Sequence, residues 1–288
     1  MEVGDLLHFE NARSAESHRV REGRFGPHVK RRSCRAIWIS DLHLGTPRCK
    51  AAVLLDFLQH HEAETLFLLG DIVDGVNWGA SWHWDAMQAA VVTELQAWGR
   101  RGTHVVYMPG NHDIDMELAE RLLGIPSGPI ETTHRTLDGR RMLVTHGHLL
   151  DPAVACARWW QNGSTYAMVM RISQWYTKDW EERAERRSIS AFFRYRLKRA
   201  VEYMIDFDDR AVFEAVHERG LDGMICGHVH RAEQKLIGPF WYINDGDWVG
   251  NCTALVEGWD GALQLIRWKQ QMLGLANQSL EKAAAEVA

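Results

Sequence analysis

Five short segments of the chain combine aspartate, asparagine and histidine in a way that suits metal chemistry. They are Asp41-Leu42-His43, Gly70-Asp71, Gly110-Asn111-His112-Asp113, His146-Gly147-His148 and Gly227-His228-Val229-His230. Carboxylate oxygens and imidazole nitrogens together suit divalent metals such as Mn²⁺, Fe²⁺ and Zn²⁺. Three of the segments repeat a two-residue spacing, which on an extended backbone points both side chains to one side. The segments therefore predict a site for divalent metal.

Each of these residues also has a structural explanation when it is taken alone. Asp71 suits a turn or a helix cap, and Asn111 suits the left-handed position of a turn. His146 and His148 suit the end of a strand. Because matching chemistry recurs in five segments, the metal site explains the whole set better than five separate structural roles do.

The first half of the chain alternates strands and helices, and this order places the segments. We predict strands at 36–40, 65–69 and 104–108 and helices at 49–61 and 83–99. A β-α-β-α-β order favours parallel strands joined by right-handed crossovers. The carboxyl ends of such strands lie at one edge of a sheet, where open α/β sheets bind ligands. Asp71 directly follows one of these strands and a glycine.

The second half predicts further strands around a long helical segment. The expected elements are a helix at 115–123, a hairpin over 132–145 with its turn at Asp138-Gly139, a strand at 222–226 and antiparallel strands within 232–268. We expect residues 1–33 to be a disordered basic arm, 34–270 to be one domain with a helical insertion at 151–219, and 271–288 to be a tail. The fold class is α/β, in the form of an α+β sandwich.

Composition excludes several classes of protein. The chain has 288 residues, 46% of them hydrophobic, and a formal net charge of −5, so nucleic acid is not an expected partner. Its five cysteines contain no C-x-x-C pair, which fits a reducing compartment and argues against a thiolate zinc site. The sequence has no apolar run long enough for a bilayer and no secretory signal. We expect a cytoplasmic protein, with contact at the inner face of a membrane left open and no oligomeric state specified.

In order, the motifs D-x-H, G-D-x-x-D, G-N-H-D, H-G-H and G-H-x-H resemble those of the calcineurin-like metallophosphoesterases over about residues 36–256. The resemblance implies two central mixed β-sheets flanked by helices, and two divalent metal ions, Mn²⁺ first and Fe²⁺ or Zn²⁺ as alternatives. It implies that Asp71 bridges the two ions. The implied ligands are Asp41, His43, Asp71 and His230 for one ion, and Asp71, Asn111, His146 and His228 for the other.

The same resemblance implies hydrolysis of a phosphoester or diphosphate by metal-bound hydroxide. His112 is then expected to stabilise the transition state or to protonate the leaving oxygen, with Asp113 orienting its ring. We expect His148 to contact substrate or the second metal. Asp74 is expected to lie in a turn or behind the ligands rather than to bind metal.

The insertion at 151–219 mixes aromatic and basic residues, which suits a lid over an apolar tail and a diphosphate. Arg194 and Arg196 are the substrate-binding candidates there, and a helical subdomain with a solvated charged face explains the pattern equally well. The insertion and the run at 244–257 look like the branch that contains UDP-2,3-diacylglucosamine diphosphatases. The substrate expected from this branch is a lipid-linked nucleotide diphosphate.

Other functions remain as alternatives. Well-studied members of that branch carry arginine where this chain has His112, and histidine is usual in general phosphoesterases, so a small-molecule phosphodiesterase or phosphomonoesterase is the main alternative. A catalytically inactive binding scaffold is the alternative from another class, although such relatives typically lose ligands that this chain retains. A nuclease is disfavoured by the acidic net charge.

Overall fold

The computed structural model describes residues 31–75, 82–113, 116–150 and 209–272. Its helices are α1 (Ala51–His60), α2 (Ala86–Arg100), α3 (Met116–Leu123) and α4 (Asp209–Glu218), with a 3-10 turn at His148–Leu150. Its strands are β1 (Arg32–Ile39), β2 (His61–Leu69), β3 (His104–Met108), β4 (Glu131–Arg135), β5 (Arg141–Thr145), β6 (Gly223–Cys226), β7 (Glu233–Ile237), β8 (Phe240–Asn244), β9 (Thr253–Glu257) and β10 (Leu263–Arg267).

Parts of the predicted domain plan lie outside the described residues. These parts are 1–30 of the arm, 151–208 of the insertion and 273–288 of the tail. β1 begins at Arg32, so the last two residues of the predicted arm belong to a strand. In the described residues, no helix is both long and apolar enough to cross a membrane.

The strands form two mixed sheets, each of five strands, which confirms the two mixed sheets that the resemblance implies. The first has the order β10-β9-β1-β2-β3 and the second the order β4-β5-β6-β8-β7. In the first sheet β1, β2 and β3 are parallel, and β9 and β10 add antiparallel strands at one side. In the second sheet β5, β6 and β8 are parallel, and β4 and β7 are antiparallel edges.

The two sheets pack against each other because successive residues of a strand face opposite sides. Ala36 and Trp38 of β1 pack against Met142, Val144 and Ile225 of the second sheet. The alternate β1 residues and their neighbours pack instead against α1 and α2, and α4 covers the outer face of the second sheet. The described part of the chain thus forms four layers, helix, sheet, sheet and helix, and apolar burial holds both sheets in place.

The junction of α1 and β2 differs from the sequence prediction. The helix was expected to reach residue 61 and the strand to begin at 65, but the helix ends at His60 and the strand starts at His61. His61 has extended backbone and pairs with Arg32, and its buried ring stacks on Phe57 at 4.2 Å. Pairing with β1 therefore extends β2 by four residues, which local periodicity does not indicate.

A buried ionic cluster ties the two sheets together away from their carboxyl ends. Glu257 of β9 is fully buried and accepts hydrogen bonds from Arg35 of β1 at 2.6 Å and from His134 of β4 at 2.9 Å. Its other oxygen accepts from the Leu137 N–H at 2.7 Å. Burial opposes the charge, but the bonds from His134 and Leu137 lower the pKa of Glu257. All of its partners would lose a charged acceptor if it were changed.

We therefore expect Glu257→Gln to lower the free energy of unfolding by about 1–3 kcal/mol, the range for hydrogen bonds to charged groups. Reversible urea unfolding measures the change. Glu94→Gln is the matched control, because Glu94 pairs with the partly exposed Arg31 and Arg101 and a surface pair contributes about 0–1 kcal/mol. Equal losses in the two variants would contradict a specific role for the buried cluster.

The buried ring of His61 makes a second prediction. Burial lowers the pKa of His61 to about 4, whereas an exposed histidine titrates near 6.5. A lowered histidine pKa gives stability that is complete above 6.5 and is lost as the pH falls toward 4, because only the unfolded chain takes up the proton.

Between pH 7.5 and pH 5, wild type should lose about 2 kcal/mol more free energy of unfolding than His61→Leu. Urea unfolding in the presence of a chelator at several pH values measures both curves. A constant packing cost in the variant cancels in this comparison. Parallel curves for the two proteins would show that the His61 ring is not buried as a neutral group.

Candidate metal centre

The five predicted segments meet at one end of the sandwich. Asp41 follows β1, Asp71 follows β2 and Asn111 follows β3, all at the carboxyl edge of the first sheet. His146 follows β5, and His228 and His230 follow β6, at the edge of the second sheet. The candidate residues thus come from both sheets.

The backbone at these residues is unusual. Six described non-glycine residues have positive φ angles, and five of them are candidate ligands: Asp41, His43, Asp71, His228 and His230. Each such conformation costs about 1–3 kcal/mol in ordinary residues and persists only where the surroundings enforce it. Here it turns the chain sharply after each strand, so that both residues of a D-x-H or H-x-H pair face the same space.

The first group of candidate ligands contains Asp41, His43 and His230. The Nε2 atom of His230 lies 2.9 Å from Asp41 Oδ1 and 3.4 Å from the Nε2 atom of His43. Asp41 Oδ2 accepts the His228 backbone N–H at 3.0 Å, and the buried Asp41 Oδ1 faces the rings of His230 and His43. A buried carboxylate oxygen facing two imidazole nitrogens is the arrangement that a divalent cation satisfies.

The second group contains Asp71, His146 and His228, with Asn111 beside it. The Nε2 atom of His146 lies 3.4 Å from Asp71 Oδ1 and 3.2 Å from Asn111 Oδ1. The Nδ1 atom of His146 donates to the Leu69 carbonyl at 2.6 Å, which directs Nε2 into the site. The ligand atoms of each group lie within 4.8 Å of one another.

Asp71 belongs to more than one group. Its Oδ1 faces His146, and its Oδ2 lies 3.9 Å from the Nε2 atom of His43 in the first group. Asp71, His43 and His112 form a further cluster of the same size. The Asp71 carboxylate therefore lies between the two sets of ligands.

The electrostatics fit divalent cations. Burial alone would raise the pKa of both carboxyls, but His230 beside Asp41 and His146 beside Asp71 hold their pKa values well below the usual range. Burial opposes the charged ring of His146, but Asp71 and Asp41 raise its pKa to about 10. The carboxylates thus attract positive charge strongly. A bound metal cation would supply that charge in place of the ring protons, and the imidazoles would then be neutral.

His112 shares a carboxylate with His43. Asp74 Oδ2 lies 3.2 Å from the Nδ1 atom of His43 and 3.5 Å from the Nδ1 atom of His112. This leaves the Nε2 atom of each ring directed toward Asp71. Burial opposes the charge on His112, but Asp71 and Asp74 raise its pKa to about 9. Asp74 therefore lies behind the ligands, as expected.

The expected role of Asp113 is corrected. Its Oδ1 accepts the Val73 N–H at 2.8 Å and its Oδ2 accepts the Gly110 N–H at 2.9 Å. Burial and the nearby Asp71 raise its pKa to about 6. Because both oxygens bind backbone, Asp113 holds the loops after β2 and β3 together, and Asp74 is the carboxylate beside the His112 ring.

The substrate-binding candidates divide between the described and the undescribed residues. His148 begins the 3-10 turn, and its ring centroid lies 5.5 Å from that of His146 and 6.5 Å from that of His228. Arg194 and Arg196 lie outside the described residues. His148 is thus beside the second group, and its contact with substrate stays a prediction.

Sequence reasoning missed residues that support the ligands. Gln88 of α2 is buried, accepts the Gly45 N–H at 2.7 Å and donates to the Thr46 carbonyl at 3.0 Å, so it holds the loop after His43. Ser40 lies between Asp41 and Asp245. No local signal identifies Gln88, whereas Ser40 directly precedes a ligand and Asp245 follows a buried strand.

Gly110 offers a test of how closely the site is packed. A Cβ atom on Gly110 would overlap both the backbone nitrogen and the Oδ1 atom of Asp71. We expect Gly110→Ala to displace the Asp71 carboxylate and to weaken Mn²⁺ binding at least tenfold, as measured by calorimetric titration. Gly99→Ala is the control, because a Cβ there meets no atom within 4 Å. Wild-type Mn²⁺ affinity in Gly110→Ala would contradict this packing.

The chain is similar to several known proteins. A UDP-2,3-diacylglucosamine hydrolase of Cellvibrio japonicus is 28% identical over 208 residues, covering 68% of this chain and 81% of the relative. A protein of the same name from Aromatoleum aromaticum is 25% identical over 248 residues, covering 79% and 94%. The solved structure of Yfce, a phosphoesterase from E. coli, is 18% identical, with a TM-score of 0.40 and coverage of 81% of this chain and 98% of that one.

The family model described as calcineurin-like phosphoesterase matches residues 34–232. This range contains all five motif segments and both groups of ligands. The predicted resemblance is confirmed at the level of the family, and the curated relatives support the predicted branch. The chain therefore belongs to the calcineurin-like phosphoesterase family and is a metal-dependent phosphohydrolase.

Proposed function

We propose that the chain holds two divalent metal ions, with Mn²⁺ the first choice, and hydrolyses the diphosphate bond of a UDP-2,3-diacylglucosamine-like nucleotide lipid. The position of Asp71 carries the two-ion part of the proposal. Its Oδ1 faces His146 and its Oδ2 faces His43, so one carboxylate serves both groups of ligands.

The side chains then have distinct roles. Asp41, His43 and His230 hold one ion, Asn111, His146 and His228 hold the other, and Asp71 is shared. Bound divalent ions supply Lewis acidity toward phosphate oxygens and activate water for attack on phosphorus. His112 lies beside Asp71 without being one of the proposed ligands, and its Nδ1 atom lies 3.5 Å from Asp74 Oδ2, which leaves Nε2 directed into the site. It is the proposed donor of a proton or hydrogen bond to the leaving oxygen.

The substrate part of the proposal rests on the relatives. The curated relatives named above are UDP-2,3-diacylglucosamine hydrolases, and they match along most of their own length. A lipid-linked substrate requires that the protein reach a membrane surface, and we place the protein in the cytoplasm on the inner side of that membrane. The alternative is a general phosphodiesterase acting on small molecules, which the histidine at position 112 favours.

The direct test is an assay of the Mn²⁺-loaded protein on UDP-2,3-diacylglucosamine and on bis-p-nitrophenyl phosphate. We expect UMP release from the lipid substrate. Hydrolysis of the small ester alone would contradict the lipid substrate and keep the reaction class. No turnover of either compound by protein shown to hold Mn²⁺ would favour a binding scaffold.

Two variants separate metal binding from proton transfer. Asp71→Asn should lose Mn²⁺ and reduce turnover by roughly 1,000-fold or more, because both ions lose a shared carboxylate ligand. His112→Ala should keep both ions and lower kcat by about 100- to 10,000-fold. Asp260→Asn removes an exposed turn carboxylate and serves as the matched control. An Asp71→Asn variant that keeps wild-type activity would contradict the role of Asp71 as a ligand shared by both ions.

A further inference from the structure

A buried hydroxyl joins the ligand Asp41 to a second carboxyl group that no motif assigns. Ser40 Oγ lies 2.5 Å from Asp41 Oδ2 and 2.7 Å from Asp245 Oδ1. Ser40 and Asp245 are 1% and 0% exposed, so water does not compete for these contacts. Asp245 follows β8 in the second sheet, and Ser40 follows β1 in the first. The contact therefore crosses between the sheets directly behind the metal site.

The packing around Ser40 leaves little freedom. A Cβ atom on Gly227 would overlap the Ser40 side chain, so this glycine allows the two loops to approach closely. The Asp245 backbone N–H donates to the Cys226 carbonyl at 2.9 Å, which fixes the loop that carries Asp245 against the end of β6. The Ser40 hydroxyl is thus held at one position between the two carboxyl groups.

The number of protons around Ser40 indicates which groups donate and which accept in these hydrogen bonds. The hydroxyl has one proton, yet three acceptors surround it: Asp41 Oδ2, Asp245 Oδ1 and the Gly246 carbonyl, which lies 3.2 Å away. One carboxyl group must therefore supply a second proton. Asp245 is the better carrier of this proton, because Asp41 Oδ2 already accepts the His228 N–H and because burial raises the pKa of Asp245 well above its usual range.

We propose that Asp245 is a positioning residue, which holds the Asp41 carboxylate in its metal-binding orientation through Ser40. Asp245 donates to Ser40 Oγ, and Ser40 donates to Asp41 Oδ2, which also accepts the His228 N–H. Both contacts occupy Oδ2 and leave Oδ1 directed at His43 and His230. Hydrogen bonds to a ligand typically change metal affinity by 10- to 100-fold.

This inference rests on the proposed function only in that Asp41 binds metal, and its test measures metal affinity rather than turnover. Calorimetric titration of the wild-type protein should show two Mn²⁺ ions bound per chain. Asp245→Ala should weaken one of them about 10- to 100-fold and leave the other within about threefold. Asp245→Asn should restore wild-type affinity, because its amide N–H can donate to Ser40 in place of the carboxyl proton.

A double-mutant cycle tests the path through Ser40. If Asp245 acts only through this hydroxyl, Ser40→Ala and Asp245→Ala should have similar effects, and the double variant should be no weaker than Ser40→Ala alone. If the loss of Mn²⁺ affinity in the double variant equals the product of the two single losses, the proposed path through Ser40 is overturned. Wild-type Mn²⁺ affinity in Asp245→Ala would overturn the positioning role itself.

A folding defect is distinguished by a control of the same kind. Glu257→Gln also removes a buried carboxylate between the sheets, but its partners Arg35 and His134 do not reach the site. It should lose stability and keep both Mn²⁺ affinities. Equal losses of Mn²⁺ affinity in Glu257→Gln and Asp245→Ala would assign the effect to stability and overturn the inference. Two tightly bound ions without turnover of any substrate would instead count against the proposed function alone.

Discussion

The structure depends on placing several buried carboxylates and imidazoles at one edge without leaving any charge uncompensated. Asp41 and Asp71 are almost fully buried, and the burial of an isolated carboxylate costs several kcal/mol. Each is compensated by an imidazole of the other sheet, His230 for Asp41 and His146 for Asp71. The contacts that make the site electrostatically tolerable are therefore the same contacts that join the two sheets.

This requirement explains why the protein accepts unfavourable backbone geometry at the site. Left-handed conformations at five candidate ligands are enforced by hydrogen bonds from the neighbouring loops, such as Asp41 N to the Gly70 carbonyl and His43 N to the Asp71 carbonyl. The free energy comes from the apolar layers between and outside the sheets, where Trp38, Trp98 and Phe57 are fully buried. Apolar burial between the layers thus offsets the free-energy cost of the left-handed backbone at the site.

The sequence was sufficient for the features that local chemistry determines. The β-α alternation predicts the parallel strands and the motifs predict that the five segments meet, whereas the two mixed sheets are implied by the family resemblance that the motifs carry. The early start of β2 at His61 and the part played by Asp113 depend on partners distant in the chain, Arg32 for the first and Val73 for the second. Gln88 was missed because a buried polar side chain inside a helix is recognised only by its contacts, here with Gly45 and Thr46.

The distance along the chain between contacting ligands has a consequence for biosynthesis. The His228 N–H that binds Asp41 Oδ2 lies 187 positions further along the chain. Asp41 is the first candidate ligand to be synthesised, and it gains this contact only after nearly the whole domain has been made. A ribosome that has released β1, β2 and β3 exposes Asp41, Asp71 and Asn111 without their imidazole partners from β5 and β6. The half of the site carried by β1, β2 and β3 is thus made before its imidazole partners, and we expect both groups of candidate ligands to be complete only after the second sheet has packed against the first.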